Sequence, residues 1–387
     1  MAKYNLHFII TLIIIFTVGC KDNPANYKEK LIDLSQENYK ELKIDEFFEF
    51  REFVFLETLQ ESFIKNINKV YVKHDKIIIL DVSNKSILIF DRKGSFYNKI
   101  NNVGRGPGEF FYASDMIVNN EGDIEILDPR SEKVIRYNID GEFISESRMN
   151  FRARSFIKDK KGNYIFYTSH SRMENSDCLN YPLIVITNKE LDIIDCFLEF
   201  DSKWEGITME FRNANTHFYK NDNAIIFIPT FPLLFTTFRF FDDNFTLNNR
   251  FIVPNQKKLE NYFANLEISP GLSRKIIESG YSITMNDYFE NNDFIYAELF
   301  GEITTQFIVN KVTNETYIRN KESDNYFGYF SAHPVNGDLK NVVFDIVSPL
   351  TFMHSDYKIF NNKLNEDNLK EEDNPVLIFY NFSPHPG

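Results

Sequence analysis

The chain has 387 residues and a formal net charge of −13, with 56 acidic against 43 basic side chains. That balance disfavours nucleic acid as a partner and disfavours holding an anionic membrane by charge alone. No CxxC, HxxxH, GxSxG, P-loop or dinucleotide fingerprint occurs, so no zinc, nucleophile-elbow or nucleotide chemistry is signalled and no cofactor is expected.

The N-terminus begins with Lys3 as its only charged side chain before the apolar stretch Phe8–Phe16, then Thr17-Val18-Gly19-Cys20. A positive start, a short apolar run and small residues are the parts of a signal peptide, and the run falls short of the ~20 residues a spanning helix needs. Cysteine directly after Val-Gly resembles the bacterial lipobox. That resemblance implies cleavage after residue 19 and lipid on Cys20, hence an outer-membrane anchor with no inner-membrane retention signal, since Lys21 follows. Lys21-Asp22 is similar to the Lys-plus-acid signal that sends Bacteroidetes lipoproteins to the cell surface; the periplasmic face is the alternative. Residues 20–45 carry little apolar content and read as a flexible tether, leaving 46–387 for the folded part.

Forty Phe and twenty Tyr favour strands with long packed faces. Residues 76–97 (KIIILDVSNKSILIFDRKGSFY) and 123–144 (DIEILDPRSEKVIRYNIDGEFI) align without gaps at a shift of 47. Ile77–Leu80 reads as a strand buried on both faces. Asp81 opens a polar turn whose carboxylate can bond its own backbone, Ile87–Phe90 is the next strand, and Arg92-Lys93-Gly94 turns into a third. With Lys69–Lys73 ahead, the unit is a four-stranded meander of the length that forms propeller blades. Weaker copies follow at 163–200, 224–245 and 294–314, and Val342–Ile346 with Val376–Phe382 remain for a sixth. Glu49–Glu57 is a strand without a partner, so Phe53–Leu56 is expected beside Val376–Phe379, closing the ring. Residues 255–280 place Leu259, Tyr262, Phe263 and Leu266 at helical spacing and read as a small helical insertion. Residues 361–374 read as a charged loop or short helix. The spacing of Cys178 and Cys196 leaves open whether they pair.

Residues 103–110 (VGRGPGEF), with FVFLETLQESFIKNINKVYV upstream and the closing NPVLIFYNF, resemble the six-bladed β-propeller lipoproteins of Bacteroidetes, relatives of the NHL-repeat proteins, over roughly residues 45–382. The resemblance implies an all-β, six-bladed propeller of four-stranded antiparallel blades. It implies no activity.

The functional expectation is an envelope lipoprotein whose propeller binds a glycan, peptide or protein ligand, acting as a monomer. Candidate ligand-binding residues are Arg105 and Glu109 in the Gly-rich connector, whose amides can turn toward an anion, then Asp115, Arg152 and Arg154, expected at blade entries and at the mouth of the central channel. Trp204, with Glu205, Arg212 and His217, could line a stacking surface. The alternative is a metal-dependent lyase or hydrolase working in the central channel, with Ca or Zn. NHL relatives include such a lyase, and other six-bladed propellers are calcium-dependent lactonases. It would need convergence among His74, His170, His217, His333 and His354, which no spacing places together.

Overall fold

The run Ile77-Ile78-Ile79-Leu80 shows why this chain makes blades. Successive side chains of a strand point to opposite faces, and here both faces are covered. Ile77 and Ile79 pack with Val54, Phe344, Leu377 and Phe379, whereas Ile78 and Leu80 pack with Ile117, Ile124 and Ile126. None of the four is more than 1% exposed. The division recurs further along: Tyr164 and Phe166 enter one cluster, Ile165 and Tyr167 the next. A sheet sandwiched between two others must be apolar at every core position, and the sequence supplies such runs.

The computed structural model describes residues 30–35, 38–169, 171–173, 178–199, 217–221, 224–229, 235–264, 284–301, 304–321, 330–354 and 369–384. These form six sheets. From inner to outer strand, blade 1 is Lys69–Lys73, Lys76–Asp81, Ser86–Asp91 and Phe96–Ile100. Blade 2 is Asp115–Val118, Ile124–Asp128, Lys133–Tyr137 and Phe143–Arg148. Blade 3 is Ser155–Lys158, Tyr164–Tyr167, Pro182–Thr187 and Ile193–Glu199. Blade 4 is Phe218–Lys220, Ile225–Phe227, Thr236–Phe241 and Asn244–Ile252. Blade 5 is Thr284–Glu290, Phe294–Phe300, Thr304–Asn310 and Thr316–Lys321. Blade 6 is His333–Pro334, Val342–Val347, Val376–Phe382 and, outermost, Phe48–Phe55. The apolar clusters span consecutive blades around the ring.

The closing strand lies where the repeat count requires it. Phe55, Val54, Phe53 and Glu52 oppose Val376, Leu377, Ile378 and Phe379, and the latter four are fully buried. The last blade is thus completed from the N-terminal side of the chain.

The six-bladed, all-β expectation holds, with an addition: blades 1, 4 and 5 each gain a parallel fifth strand. Two of these strands come from the stretch read as a free tether to residue 45, and that reading needs correction. Lys30–Asp33 runs beside Asn249–Ile252 of blade 4, and Lys40–Glu41 beside Tyr317–Ile318 of blade 5. Four buried apolar side chains fasten this strap, Ile32, Leu34, Leu42 and Phe47; so few among charged neighbours do not stand out as a pattern. The remaining fifth strand, Asn336–Gly337, pairs with Tyr71–Val72 on the inner side of blade 1. The insertion is helical over Gln256–Ala264, and most of the rest of it lies outside the described residues. A helix at Pro349–His354 had no sequence expectation; most of 361–374 is outside the described residues.

A four-stranded meander puts its first and third turns at one end and its second turn and exit at the other. The ring therefore has two unlike faces. The hairpin face carries short turns such as His74-Asp75 and Asp242-Asp243. The strand ends joined by the longer connections, 101–114, 149–154 and 168–181 among them, lie at the opposite face, called the loop face below.

Candidate functional site

The five polar candidates from the sequence all fall at the loop face between blades 1 and 3, four on loops and one at a strand start. They do not have one role there. Asp115, the first residue of blade 2's inner strand, is 4% exposed. Its Oδ1 lies 2.7 Å from Lys69 Nζ; its Oδ2 accepts from Ser155 Oγ at 2.5 Å and from the Phe156 amide at 3.0 Å. The chain Lys69–Asp115–Ser155 thus joins the inner strands of blades 1, 2 and 3. Lys69 is buried; burial presses its pKa down, but the charge of Asp115, with Tyr71, outweighs this and holds it above the usual value.

The Gly-rich connector folds tightly upon itself. Glu109 turns its carboxylate back to accept the Gly106 amide at 2.7 Å. Gly108 sits at φ +69°, and a Cβ there would lie 2.8 Å from the Phe143 ring, so only glycine fits. Below it, Lys133 is 1% exposed and donates to the Gly106 carbonyl at 3.3 Å and to Glu146 at 2.7 Å, while the Tyr137 hydroxyl donates to the Gly108 carbonyl. Glu109 therefore builds its own loop. Arg105 is exposed, with its guanidinium 5.1 Å from the centre of the Phe111 ring.

The repeated Asp81 and Asp128 do more than close a strand. Asp81 accepts the Asn84 amide within its turn at 2.9 Å and the Lys65 amide from the incoming connection at 2.7 Å. Asp128 likewise accepts the Arg130 amide at 2.9 Å and the Phe111 amide at 2.7 Å. Each fully buried carboxylate pins an inter-blade connection to a turn on the same face. The next connection is pinned to this same turn: the Met149 amide donates to the Glu132 carbonyl at 2.7 Å, and Arg152 Nε lies 3.2 Å from the Glu132 carboxylate. The outcome is one continuous surface of three stitched segments, 105–112, 128–132 and 149–154. Arg105, Arg130, Arg152 and Arg154 are exposed on it, and Arg130 lies 6.0 Å from the centre of the Tyr112 ring. Sequence reasoning missed Arg130, although the repeat placed it in the same turn as Ser83 of blade 1. It missed Phe111 and Tyr112 too.

A second polar group lies where blades 5 and 6 meet. The inner strand of blade 5 is bulged, with Asn286 and Asp287 between the pairs Met285–Leu299 and Tyr288–Ala297. A bulge re-aims side chains. Asp287 Oδ1 here stands 3.1 Å from His333 Nδ1 on blade 6. Glu298 Oε2 accepts from Ser331 Oγ at 3.2 Å and from Gln306 at 3.3 Å, and Asp345 accepts the Ser331 amide at 3.3 Å. Burial presses the His333 pKa down; Asp287, then Asp345 and Glu298, outweigh it and hold the imidazole above its ordinary value. No sequence signal linked these residues, which come from separate segments of two blades.

The other histidines are apart. His74 is in a hairpin-face turn, its Nε2 2.9 Å from the Asn120 carbonyl. His217 is buried with its ring 4.6 Å from that of Tyr167, and His354 ends the Pro349–His354 helix. His170, Trp204, Glu205, Arg212 and Cys20 lie outside the described residues. Among the described residues no group of three His, Cys, Asp or Glu has metal-holding geometry. Cys178 and Cys196 form a disulfide, with Cα atoms 5.7 Å apart.

The model of a family described as a domain of unknown function, DUF4934, matches residues 29–381. A Bacteroides fragilis chain described as an exported protein is 20% identical, with a TM-score of 0.69 over 92% of this chain and 100% of that one. A DUF4221 family member from Bacteroides vulgatus is 7% identical, with a TM-score of 0.52 over 87% of this chain and 98% of that one. Virginiamycin B lyase from Staphylococcus aureus is more distant, 10% identical with a TM-score of 0.40 over 80% of this chain and 78% of that one. No curated protein matches the sequence. The first two likenesses establish the shared fold.

Proposed function

The chain belongs to the DUF4934 family, and we propose that it is an exported, lipid-anchored propeller that binds a ligand outside the cytoplasm through the loop face of blades 1 to 3. The observation that carries this reading is the stitched surface itself. Buried Asp128 and Asp115 hold its connections rigid, while arginine and aromatic side chains stand on it. A rigid frame under exposed planar groups is how a protein presents a preorganised binding surface. Export is supported by the N-terminal pattern and by the Cys178–Cys196 bridge, which suits an oxidising compartment.

Anchoring at Cys20 would bring a particular pose. Ten residues extend at most ~36 Å, so the outer rim of blade 4, where Lys30 joins Asn249, would stay within that distance of the lipid. Lys30–Asp33 runs parallel to Asn244–Ile252, a strand that leads from the hairpin face toward the loop face. Lys30–Asp33 therefore runs toward the loop face.

Two measurements test the reading. The Cys20→Ser variant should leave the membrane fraction, and retention there would refute the anchor. Mature protein screened on peptide and glycan arrays should lose its ligand with Arg130→Ala/Arg152→Ala but keep it with Lys93→Ala on the hairpin face. Equal binding by both variants would refute the loop-face assignment.

A further inference from the structure

The charges of the loop-face surface point to the class of ligand it takes. Residues 101–114, 128–132 and 149–154 hold four arginines, Arg105, Arg130, Arg152 and Arg154, against three carboxylates, Glu109, Asp128 and Glu132. The carboxylates are engaged within the frame. Glu109 holds the Gly106 amide, Asp128 is fully buried on the Phe111 and Arg130 amides, and Glu132 meets Arg152. The arginines are exposed, so a local excess of positive charge faces solvent on a chain whose net charge is −13.

Resting on the loop-face reading above, we propose that this surface binds an extended acidic peptide segment, with side-chain carboxylates seated on Arg105, Arg130 and Arg152. Guanidinium groups present a planar fork that fits a carboxylate with two parallel hydrogen bonds. Two of the three are held against rings, Arg105 by Phe111 and Arg130 by Tyr112, which lowers the ordering cost of engaging a partner. The contact Arg152–Glu132 shows the pairing within the surface itself. Those ring faces are already covered by guanidinium, so they are poor platforms for stacking a sugar; this favours a peptide over an acidic glycan. The net negative charge of the whole chain would repel a dense polyanion at long range, so spaced carboxylates suit it better than a phosphate backbone.

The test uses the mature protein and a fluorescent Glu-Ser repeat peptide, with the Gln-Ser peptide and oligogalacturonate as comparison probes, read by anisotropy at low salt. The Glu-Ser peptide should bind, the Gln-Ser peptide should not, and binding should weaken as salt rises. Arg105→Ala, Arg130→Ala and Arg152→Ala should each weaken it about two- to fivefold, as expected for exposed ion pairs, and the triple variant should weaken it more. Equal binding of the Gln-Ser peptide, an unaffected triple variant, or binding of oligogalacturonate alone would overturn the proposal. An array ligand lost with the loop-face variants while the Glu-Ser peptide stays unbound would overturn the ligand class and leave the loop-face reading standing.

Discussion

Replacing Asp115 by Ala removes one carboxylate and, besides the adjacent Met116 amide, strands three donors on neighbouring blades. Lys69 Nζ loses its partner at 2.7 Å, Ser155 Oγ loses one at 2.5 Å, and the Phe156 amide loses one at 3.0 Å. Lys69 and Asp115 have side chains only 7% and 5% exposed, so water reaches the ammonium poorly. Breaking a buried pair by removing one partner costs about 3–5 kcal/mol, and an unsatisfied buried amide adds about 1–3 kcal/mol. Ser155 can rotate its hydroxyl and adds little. The sum, about 4–8 kcal/mol, is a large part of the 5–15 kcal/mol by which domains are ordinarily stable. At about 1.5 °C per kcal/mol for a chain of this size, melting should fall by about 6–12 °C. Removing the charge on both sides, Lys69→Met with Asp115→Ala, should recover part of the loss, because the stranded ammonium is gone. Melting curves of wild type, both single variants and the double variant form the cycle. A single-variant loss under about 1 kcal/mol, or a double variant no more stable than Asp115→Ala, would refute the claim that Asp115 joins blades.

Further expectations concern the ring closure and the bridge. The His333 pKa stands above its ordinary 6.5, so the stabilisation it brings is full below pH 6.5 and is lost as pH rises through the folded-state value. Wild type should therefore lose melting temperature across that range while His333→Gln stays flatter, and parallel slopes would contradict the assignment. Gly337 sits at φ +111° with room for no Cβ, the Val72 carbonyl oxygen being 2.1 Å from that position. Gly337→Ala should cost about 1–3 kcal/mol from backbone strain alone and expose the Asp338 amide, now bonded to the Val72 carbonyl at 2.9 Å, to hydrogen exchange; unchanged protection would argue against an inner clasp between blades 6 and 1. Cys196→Ser opens a loop of sequence separation 18 and should destabilise by about 2–4 kcal/mol, measurable by melting, with no further effect of reductant on the variant.

Much of the fold is legible in the sequence because a blade is a local object. Its strands are joined by short turns, so the spacing of apolar runs and of Asp81 and Asp128 records the meander directly. Even the long-range closure follows from counting: an unpaired strand at 49–57 and a last blade short of one strand must meet. The strap at 30–41 escaped because it is stabilised by a few apolar side chains inserted between blades rather than by a period of its own. The inner pairing of Asn336–Gly337 with blade 1 escaped because two residues make no pattern.

The site divides along the same line. Residue types and turn positions brought Arg105, Glu109, Asp115, Arg152 and Arg154 to attention, and their common face follows from the order of strands in a meander. Which of them are engaged within the frame and which stand outside it was decided only in three dimensions. Asp115 and Glu109 spend their carboxylates on Lys69, Ser155 and the Gly106 amide, whereas Arg105 and Arg130 lie exposed over aromatic rings. A sequence specifies which groups can bond. Burial and the partners within reach decide whether those bonds are spent on the fold or left for a ligand, and that depends on neighbours contributed by other blades.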